Sequence, residues 1–349
     1  MSQIGIIGLP NVGKSTVFTA LTKQDSQIGT FPFSTTEIHT AFGEVVDSRL
    51  TEAAKIENSQ KIVYPKIQLY DLPLSPNKPV FTANVFAKLR EMDGFAVVLR
   101  DFESSSVDWG DVPQSINEQL EKIKLELIVA DLEILNNKED RLIKESKALS
   151  EKPKELLIVN KSIDILESGG ELKNYNWDTQ ELSFFRDLAL LTLKPKVYLI
   201  NTEEEGINNK EKISEEGEVI VTSAKIEQEL SELDSSEEND MRKQYSVEES
   251  LLSSLLNSIY KELNLISFFT VGDKESRAWT IPINTKIPEA SGKIHSDMEK
   301  GFIKAEVVGI DDFIEGNGWE GLKNSIKIRL EGKEYIVRDG DVVIIRFSK

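Results

Sequence analysis

The N-terminal segment carries a spacing of glycine, lysine and serine that is typical of phosphate binding. Residues 8–16 read GLPNVGKST, and Gly8, Gly13, Lys14 and Ser15 fit the pattern G-x-x-x-x-G-K-[ST]. In that pattern backbone N–H groups surround phosphate oxygens, the lysine reaches the outer phosphates and the serine hydroxyl binds Mg²⁺. The sequence therefore predicts a nucleotide-binding loop made of Asn11, Val12, Gly13, Lys14, Ser15 and Thr16.

Two later segments offer partners for that loop. FPFSTTEI follows at a distance that suits a first switch segment, and Thr35 is its best candidate for a Mg²⁺ ligand that senses the γ-phosphate. KIQLYDLP then reads as a strand that ends at Asp71, where P-loop proteins place the carboxylate that holds Mg²⁺ through water. The predicted Mg²⁺ ligands are Ser15, Thr35 and Asp71.

The segment after that aspartate is unusual for a nucleotide hydrolase. The glycine whose N–H normally contacts the γ-phosphate is replaced by Leu74, and a water-orienting glutamine is replaced by Ser75. Pro73, Pro76 and Pro79 each fix φ and remove an N–H donor. The sequence assigns no catalytic group, so we expect slow turnover at most.

Alternating strand-like and helical segments must position these residues. A short apolar run at 3–9 precedes the phosphate loop, and a helical pattern over 14–23 follows it. Further apolar runs at 95–102, 196–201 and 218–223 alternate with helical stretches. This alternation predicts an α/β fold with a doubly wound, mostly parallel sheet.

A long charged segment interrupts the alternation. Residues 114–150 place apolar side chains at helical spacing and predict a long helical hairpin. The same pattern suits a purely structural pair of helices and a partner-docking arm equally well. The predicted apolar stripe consists of Ile116, Leu120, Ile123, Leu127 and residues 129–132.

The string LLIVNKSIDI at 156–165 imitates the guanine-reading Asn-Lys-x-Asp motif of GTPases. Its asparagine and aspartate, Asn160 and Asp164, are one residue too far apart for that motif. Leu156, Val159 and Ile163 recur at helical spacing around them. We interpret the string as part of a surface helix, with a guanine reader as the minor alternative.

Composition limits the classes of protein that the chain can represent. It has no cysteine and two histidines, which excludes disulfides and thiolate metal sites. A formal charge of −18 argues against binding nucleic acid through bulk electrostatics, although a local contact stays open. We find no targeting leader and no apolar run long enough for a membrane span, and we expect a cytoplasmic protein.

Several longer strings carry a family resemblance: GIIGLPNVGKST, FPFSTTE, LTLKPKVYLIN, RAWTIP, SGKIHSDMEKGFIKAE and GKEYIVRDGDV. Together they resemble the YchF family, ribosome-associated ATPases of the Obg-like branch of P-loop proteins. The resemblance implies a G domain over 1–112 and 186–264, a helical coiled-coil insertion over 113–185, and a ubiquitin-like TGS domain of the β-grasp type over 265–349.

The resemblance also implies where the base is read. The strand after LTLKP ends at Asn201, and Glu204 stands where a GTPase would carry the guanine-binding aspartate. Without the lysine and aspartate the discrimination for guanine is lost, so ATP is preferred over GTP. Ser223 and Ala224, in the string TSAK, are predicted to contact the base through their backbone.

Cofactors and partners follow as further expectations. Mg²⁺ is the expected cofactor, and K⁺ is a second candidate because the asparagine of NVGKS, Asn11, helps to hold K⁺ in some P-loop proteins. The resemblance implies binding to the ribosome, with the large subunit as the expected partner. RNA contacts would come from the TGS domain or the helical insertion; Arg277, Lys293, Lys300 and Lys304 suit phosphates, although isolated basic residues are usually solvated surface.

The sequence thus predicts a Mg²⁺-dependent, ATP-preferring nucleotide switch with slow hydrolysis. Two alternatives stay open at this point. The first is a scaffold that binds ATP without hydrolysing it, favoured by the altered segment after Asp71. The second is an Obg-type GTPase, favoured only by the string around Asn160.

Overall fold

The structure is a computed structural model that describes residues 2–23, 29–31, 38–73, 80–104, 109–146, 154–207, 217–245, 247, 249–323 and 325–348. The chain folds into two compact units. Ser2–Gly43 and Gln68–Leu255 form one, here called the α/β unit, and Glu44–Ile67 with Leu256–Lys349 form the other, the C-terminal unit. The three-module division expected from the sequence is finer than this division and stays a prediction.

The described secondary structure alternates between strands and helices from the start of the chain. Its first half contains β1 (Ser2–Gly8), α1 (Lys14–Lys23), β2 (Gly29–Phe31), β3 (Ile38–Glu44), α2 (Ser48–Ile56), β4 (Ile62–Val63), β5 (Lys66–Asp71), α3 (Ala83–Glu91), β6 (Gly94–Asp101), α4 (Ile116–Ser146) and α5 (Lys154–Glu167).

Its second half continues with α6 (Thr179–Arg186), β7 (Lys196–Thr202), β8 (Glu218–Thr222), α7 (Ala224–Leu230), α8 (Ser235–Gln244), α9 (Leu251–Glu262), β9 (Leu265–Thr270), β10 (Ser276–Pro282), α10 (Ile287–Ile294), α11 (Ser296–Lys300), β11 (Phe302–Gly309), α12 (Ile310–Glu315), α13 (Gly318–Gly321), β12 (Arg329–Glu331) and β13 (Asp341–Phe347). None of the helices in the described part of the chain combines the length and apolar character that crossing a lipid bilayer requires.

The described strands of the α/β unit form a seven-stranded sheet in the order β2-β3-β5-β1-β6-β7-β8. β1 pairs with β6, β6 with β7 and β7 with β8, all in parallel, whereas β2 and β3 are antiparallel. Every residue of β7 is buried, as expected for a strand covered on both faces of a parallel sheet. The predicted α/β fold with a doubly wound sheet is confirmed. Four of the five predicted strands fall within one residue of β1, β6, β7 and β8, and the fifth, predicted to end at Asp71, is β5.

The predicted hairpin over residues 114–150 is wrong, because α4 is a single helix of 31 residues, about 46 Å long. Nothing in its sequence interrupts it, since glycine and proline are absent between Ile116 and Ser146. Its packing partner is α5, and the two share one apolar cluster. Ile128, Leu135 and Leu142 of that cluster recur every seven residues, the repeat of a coiled-coil seam.

The C-terminal unit is built on a second sheet, in which the described strands follow the order β12-β11-β13-β9-β10-β4. The neighbours Phe268 and Phe269 of β9 are both fully buried because successive side chains point to opposite faces of the sheet. Phe269 packs with Leu50 of α2 and Phe313 of α12, whereas Phe268 packs with Ile287 of α10. Both faces therefore carry an apolar core, and a segment from early in the chain completes one of them.

Candidate nucleotide-binding site

The phosphate loop lies between the last residue of β1, Gly8, and the first of α1, Lys14. A Cβ atom on Gly8 would lie 2.7 Å from the carbonyl oxygen of Val98, so close packing against β6 requires glycine there. Asn11 and Gly13 adopt left-handed backbone conformations, with φ of 63° and 86°. The chain thus turns sharply and presents the first turn of a helix, whose N–H groups have no partner within the helix.

Lys14 and Asp71 are brought together at the carboxyl ends of β1 and β5. Lys14 Nζ donates hydrogen bonds to the Asp71 carboxylate and to the carbonyl oxygen of Leu72. Both charged residues are buried, with exposed fractions of 8% and 9%. Because a buried ammonium is stable only with such partners, Lys14 is held beside the position where the sequence predicts Mg²⁺.

Asn201 connects the phosphate loop to the segment after β8. Its Nδ2 donates to the carbonyl oxygen of Val12 at 3.1 Å, and its Oδ1 accepts from the backbone N–H of Ala224 at 3.0 Å. A Cβ atom on Gly13 would lie 2.2 Å from Asn201 Nδ2, so this contact also requires glycine in the loop. Asn201 therefore positions two loops of the site as well as facing the space between them.

A cavity of about 740 Å³ opens beside these loops at the carboxyl ends of β6, β7 and β8. Parallel sheets bind ligands at this edge, because the connecting loops diverge there. Among the predicted contacts, its lining includes Gly13, Thr16, Asn201, Glu204, Ser223 and Ala224. The structure thus places most of the predicted base contacts around one space next to the phosphate loop.

The cavity is strongly acidic, a property that was not predicted. Its lining also contains four further glutamates and one lysine: Glu103, Glu203, Glu205, Glu229 and Lys225. Carboxylates only accept hydrogen bonds at neutral pH, so this space suits a ligand with exposed donor groups. The neighbours of Glu204 along the chain were the one available signal for this property.

Other residues at the site were missed because nothing in their local sequence marks them. Phe102 follows β6, whereas Tyr245 follows α8 and packs against an apolar cluster that contains Ile226. Arg100, at the end of β6, is fully buried and donates to the carbonyl oxygen of Asn11. Contacts of this kind come from long-range folding, which a local motif does not encode.

Two sets of predicted residues do not join the described site. Thr35 and residues 74–79 lie outside the described residues. Asn160 and Asp164 are exposed on α5, so the interpretation of NKSID as a surface helix is confirmed and the guanine-reader alternative is wrong. The predicted roles of the residues that do come together remain predictions at this stage.

The donor groups of the site fit Mg²⁺ chemically. Ser15 is exposed in the first turn of α1 and Asp71 ends β5, so a hydroxyl and a carboxylate are available as hard oxygen ligands. Mg²⁺ prefers such ligands and usually binds few protein groups, keeping waters and substrate phosphates instead. The described residues contain no cluster of three or more histidine, aspartate or glutamate side chains that could hold a metal on their own.

The phosphate loop, the lysine beside Asp71 and the cavity at the carboxyl edge of a parallel sheet together define a P-loop nucleotide-binding protein. Two family models match the chain in agreement with this class. Residues 3–161 match a model described as a 50S ribosome-binding GTPase. Residues 265–348 match the model YchF-GTPase_C, described as a protein of unknown function (DUF933).

Relatives match the chain over almost its whole length. It is 39% identical to the ribosome-binding ATPase YchF of Pasteurella multocida, with 99% of each chain covered. It is 36% identical to the protein of the same name from Bacillus subtilis, with 99% of this chain and 98% of the relative covered. The chain therefore belongs to the YchF family.

Solved structures agree with this assignment. The YchF GTPase of Schizosaccharomyces pombe superimposes with a TM-score of 0.86 at 26% identity, covering 99% of this chain and 97% of that chain. A GTP-binding protein from Pyrococcus horikoshii has a TM-score of 0.62 at 19% identity over the full length of both chains, which supports the fold alone.

Proposed function

We propose that this protein is a cytoplasmic, Mg²⁺-dependent nucleotide switch that prefers ATP to GTP, hydrolyses it slowly and acts on the ribosome. The observation that carries the proposal is the arrangement of Lys14, Asp71 and Asn201 around one phosphate loop and one acidic cavity. Relatives of similar length that are named ribosome-binding ATPases support the last part.

In this proposal ATP replaces the present partners of Lys14. The ammonium moves from the Asp71 carboxylate to the β- and γ-phosphate oxygens, where it neutralises charge. With Asp71 released, this carboxylate and the hydroxyls of Ser15 and Thr35 would be the groups that hold Mg²⁺, and the ion would supply positive charge to the phosphates. The present ion pair keeps both groups at the carboxyl edge of the sheet, within reach of these roles.

Preference for ATP follows from what the cavity offers to a base. The Asn201 amide already bonds Val12 and Ala224, and Glu204 with its neighbours supplies carboxylates. The exocyclic amine of adenine can donate to these carboxylates. Guanine also offers N–H donors, but the Asn-Lys-x-Asp arrangement that pairs an aspartate with them is replaced here by Asn201 and Glu204, with no lysine between them. We therefore expect adenine to be preferred, with the Ser223–Ala224 backbone as a further contact.

Slow hydrolysis and monovalent ions form one part of the proposal. The sequence at 74–79 lacks the usual glycine and glutamine, so this segment offers no residue to orient the attacking water. Asn11 is exposed at the tip of the loop and suits K⁺ coordination. We expect faster release of phosphate in K⁺ than in Na⁺; equal rates would remove K⁺ from the proposal.

Ribosome binding is assigned to the surfaces outside the nucleotide site. We propose the large subunit as the partner, with RNA contacts from the C-terminal unit or from α4 and α5. The net charge of −18 makes any such contact local, since the chain as a whole repels RNA. Sedimentation with purified subunits, with and without ATP, tests this part separately.

The decisive experiment measures γ-phosphate release from ATP and from GTP, with the affinity for each nucleotide determined on the same sample. Lys14→Ala should abolish tight binding, and Lys333→Ala, an exposed lysine of the C-terminal unit, serves as the matched control. Lysine-dependent release selective for ATP supports the proposal. Unchanged affinity in Lys14→Ala would refute the phosphate site.

The same measurement separates the alternative functions. Tight ATP binding with no release, also in the presence of ribosomes, would indicate a scaffold that uses ATP structurally, which the proline-rich sequence after Asp71 favours. Tighter binding and faster release with GTP would indicate a GTPase, the activity named for the fission-yeast homologue.

A further inference from the structure

We propose that Arg100 is a positioning residue for the phosphate loop and that Trp109 packs on it as a sensor of bound triphosphate. The inference rests on the proposed function. Arg100 is the last residue but one of β6, where it lies opposite Asn201 of β7, and its side chain is fully buried. A charged side chain is buried so completely only where surrounding groups hold it tightly.

The guanidinium of Arg100 holds the phosphate loop through a hydrogen bond to its backbone. Its Nη1 donates to the carbonyl oxygen of Asn11 at 3.3 Å, and its Nε donates to the carbonyl oxygen of Phe102 at 3.1 Å. Asn11 is one of the two residues at which the loop adopts a left-handed conformation, with φ of 63°. One planar group therefore joins a turn of the loop to the end of the neighbouring strand.

Two aromatic rings fix the plane of that guanidinium. Its central carbon lies 4.5 Å from the ring centre of Phe102 and 4.1 Å from that of Trp109. Arginine can stack on rings and at the same time donate hydrogen bonds in the plane of its own guanidinium, which a lysine ammonium cannot do. The position thus requires arginine for its shape as well as its charge.

The backbone of Arg100 is held as firmly as the side chain. Gln119 of α4 accepts from the Arg100 N–H at 2.8 Å and donates to the Arg100 carbonyl oxygen at 2.8 Å. Gln119 is also fully buried. Because the Arg100 backbone is fixed in this way, a movement of the phosphate loop changes the contact between the guanidinium and the two rings and leaves the position of β6 unchanged.

Trp109 links this contact to the cavity. Its Nε1 donates to the Glu103 carboxylate at 3.0 Å, and the backbone N–H of Glu103 donates to the Glu203 carboxylate at 2.9 Å. Glu103 and Glu203 both line the cavity. When phosphates bind and the loop closes around them, the hydrogen bond between Arg100 and Asn11 changes. This change alters the surroundings of the Trp109 indole, which packs on the Arg100 guanidinium.

The test compares four proteins: wild type, Arg100→Lys, Trp109→Phe and Arg346→Lys, the last an exposed arginine of the C-terminal unit. ATP affinity and tryptophan emission are measured during the same titration with Mg²⁺ and ATP. The contribution of Trp109 is the difference between the wild type and Trp109→Phe, because the chain contains four tryptophans.

We expect Arg100→Lys to bind ATP about tenfold more weakly or worse, since two charge-assisted hydrogen bonds lose their geometry. At saturating ATP its total emission change should also fall to that of Trp109→Phe, a signature that loss of stability alone does not produce. Arg346→Lys should match the wild type in both measurements.

Two outcomes would overturn the inference. One is wild-type ATP affinity in Arg100→Lys. The other is a Trp109 contribution that saturating ATP leaves unchanged in the wild type, a result that stands even if Arg100→Lys does not fold. Absence of ATP binding by the wild type would instead refute the proposed function, and the inference would fall with it.

Discussion

The two units differ in how deeply their ion pairs are buried. In the α/β unit, the Lys196 ammonium lies 2.7 Å from the Glu171 carboxylate, with exposed fractions of 4% and 3%, and burial lowers the pKa of Lys196. Asp131 is fully buried and accepts four hydrogen bonds. In the C-terminal unit, the Lys286–Glu334 pair leaves 52% and 84% of its side chains exposed.

This difference teaches how each unit maintains its structure. Removing one member of a buried ion pair strongly destabilises the protein, because the other charge stays buried without a partner. Exposed pairs contribute little, since water and salt screen them. The α/β unit, which carries the nucleotide site, therefore contains buried ion pairs that are costly to break. In each ion pair described for the C-terminal unit at least one side chain is substantially exposed, and apolar clusters cover both faces of its sheet.

The largest expected effect is the loss of the Asp131 carboxylate. Asp131 accepts from Arg90 at 2.9 Å, from the backbone of Leu191 and from the N–H and hydroxyl of Thr192. Asp131→Asn should lower the free energy of unfolding by about 3–5 kcal/mol, because Arg90 loses its countercharge. Urea denaturation measures this, and Glu334→Gln, at the exposed pair of the C-terminal unit, should leave the midpoint unchanged. Equal effects of the two changes would contradict the comparison.

The second prediction concerns the apolar core of the C-terminal unit. Leu322 is 3% exposed and packs in the cluster that contains Phe313 and Leu50. Leu322→Ala should destabilise this unit by about 2–5 kcal/mol through lost burial and the remaining cavity. Hydrogen exchange should accelerate in β11 and β13, with β6 unaffected. Leu330→Ala, whose side chain is 64% exposed, is the matched control.

The third prediction compares one glycine from each unit. Gly13 and Gly340 have nearly equal φ, 86° and 82°, so alanine at either should destabilise the chain by about 1–2 kcal/mol from backbone strain. Only Gly13→Ala should also weaken ATP binding, because its Cβ would collide with Asn201. Calorimetric titration with ATP measures this; weakened binding in Gly340→Ala would show that general strain is responsible.

Because solvent screens both partly exposed groups, the smallest expected effects are opposite pH dependences of the two units. Burial lowers the pKa of Lys194 from 10.5 to about 8, so the unfolded chain binds more protons in that window and stability rises with pH from 8 to 10.5. Burial and the Asp341 carboxylate raise the pKa of Tyr335 from 10.0 to about 12, so stability falls as pH rises from 10 to 12.

Denaturation followed by tryptophan fluorescence at several pH values tests both slopes. Trp177 reports on the α/β unit and Trp319 on the C-terminal unit. Lys194→Met should flatten the rise and Tyr335→Phe the fall, each relative to the wild type. Slopes that survive these substitutions would assign the pH dependence to other groups.

Sequence reasoning succeeded where a property repeats locally. Apolar runs located β1, β6, β7 and β8 within one residue. Burial on both faces makes β1, β6 and β7 almost continuously apolar, and the half-buried edge strand β8 keeps a short apolar run. It failed where the structure depends on contacts between segments that are far apart in sequence. The helical pattern of α4 and α5 was recognised, but which helix pairs with which depends on packing, and the pair turned out to be α4 with α5.

The same limit applies to the site. The phosphate loop and Asp71 were readable because their chemistry requires fixed residue types at fixed spacing. Arg100, Gln119 and Tyr245 were not, since each acquires its role from a partner far away in sequence. The ion pair between Lys14 and Asp71 joins two residues that the sequence had predicted separately.

What the sequence by itself determined is the chemistry that is available: a phosphate-binding loop, an aspartate at a strand end, an asparagine followed by acid, and the strands and helices that carry them. Only the tertiary structure decided how these groups are held. It showed that Asn201 ties two loops together, that an acidic cavity adjoins them, and that Glu44–Ile67 packs as part of the C-terminal unit. The physical reason is that local propensity acts between neighbours in the chain, whereas burial and charge pairing act between neighbours in space.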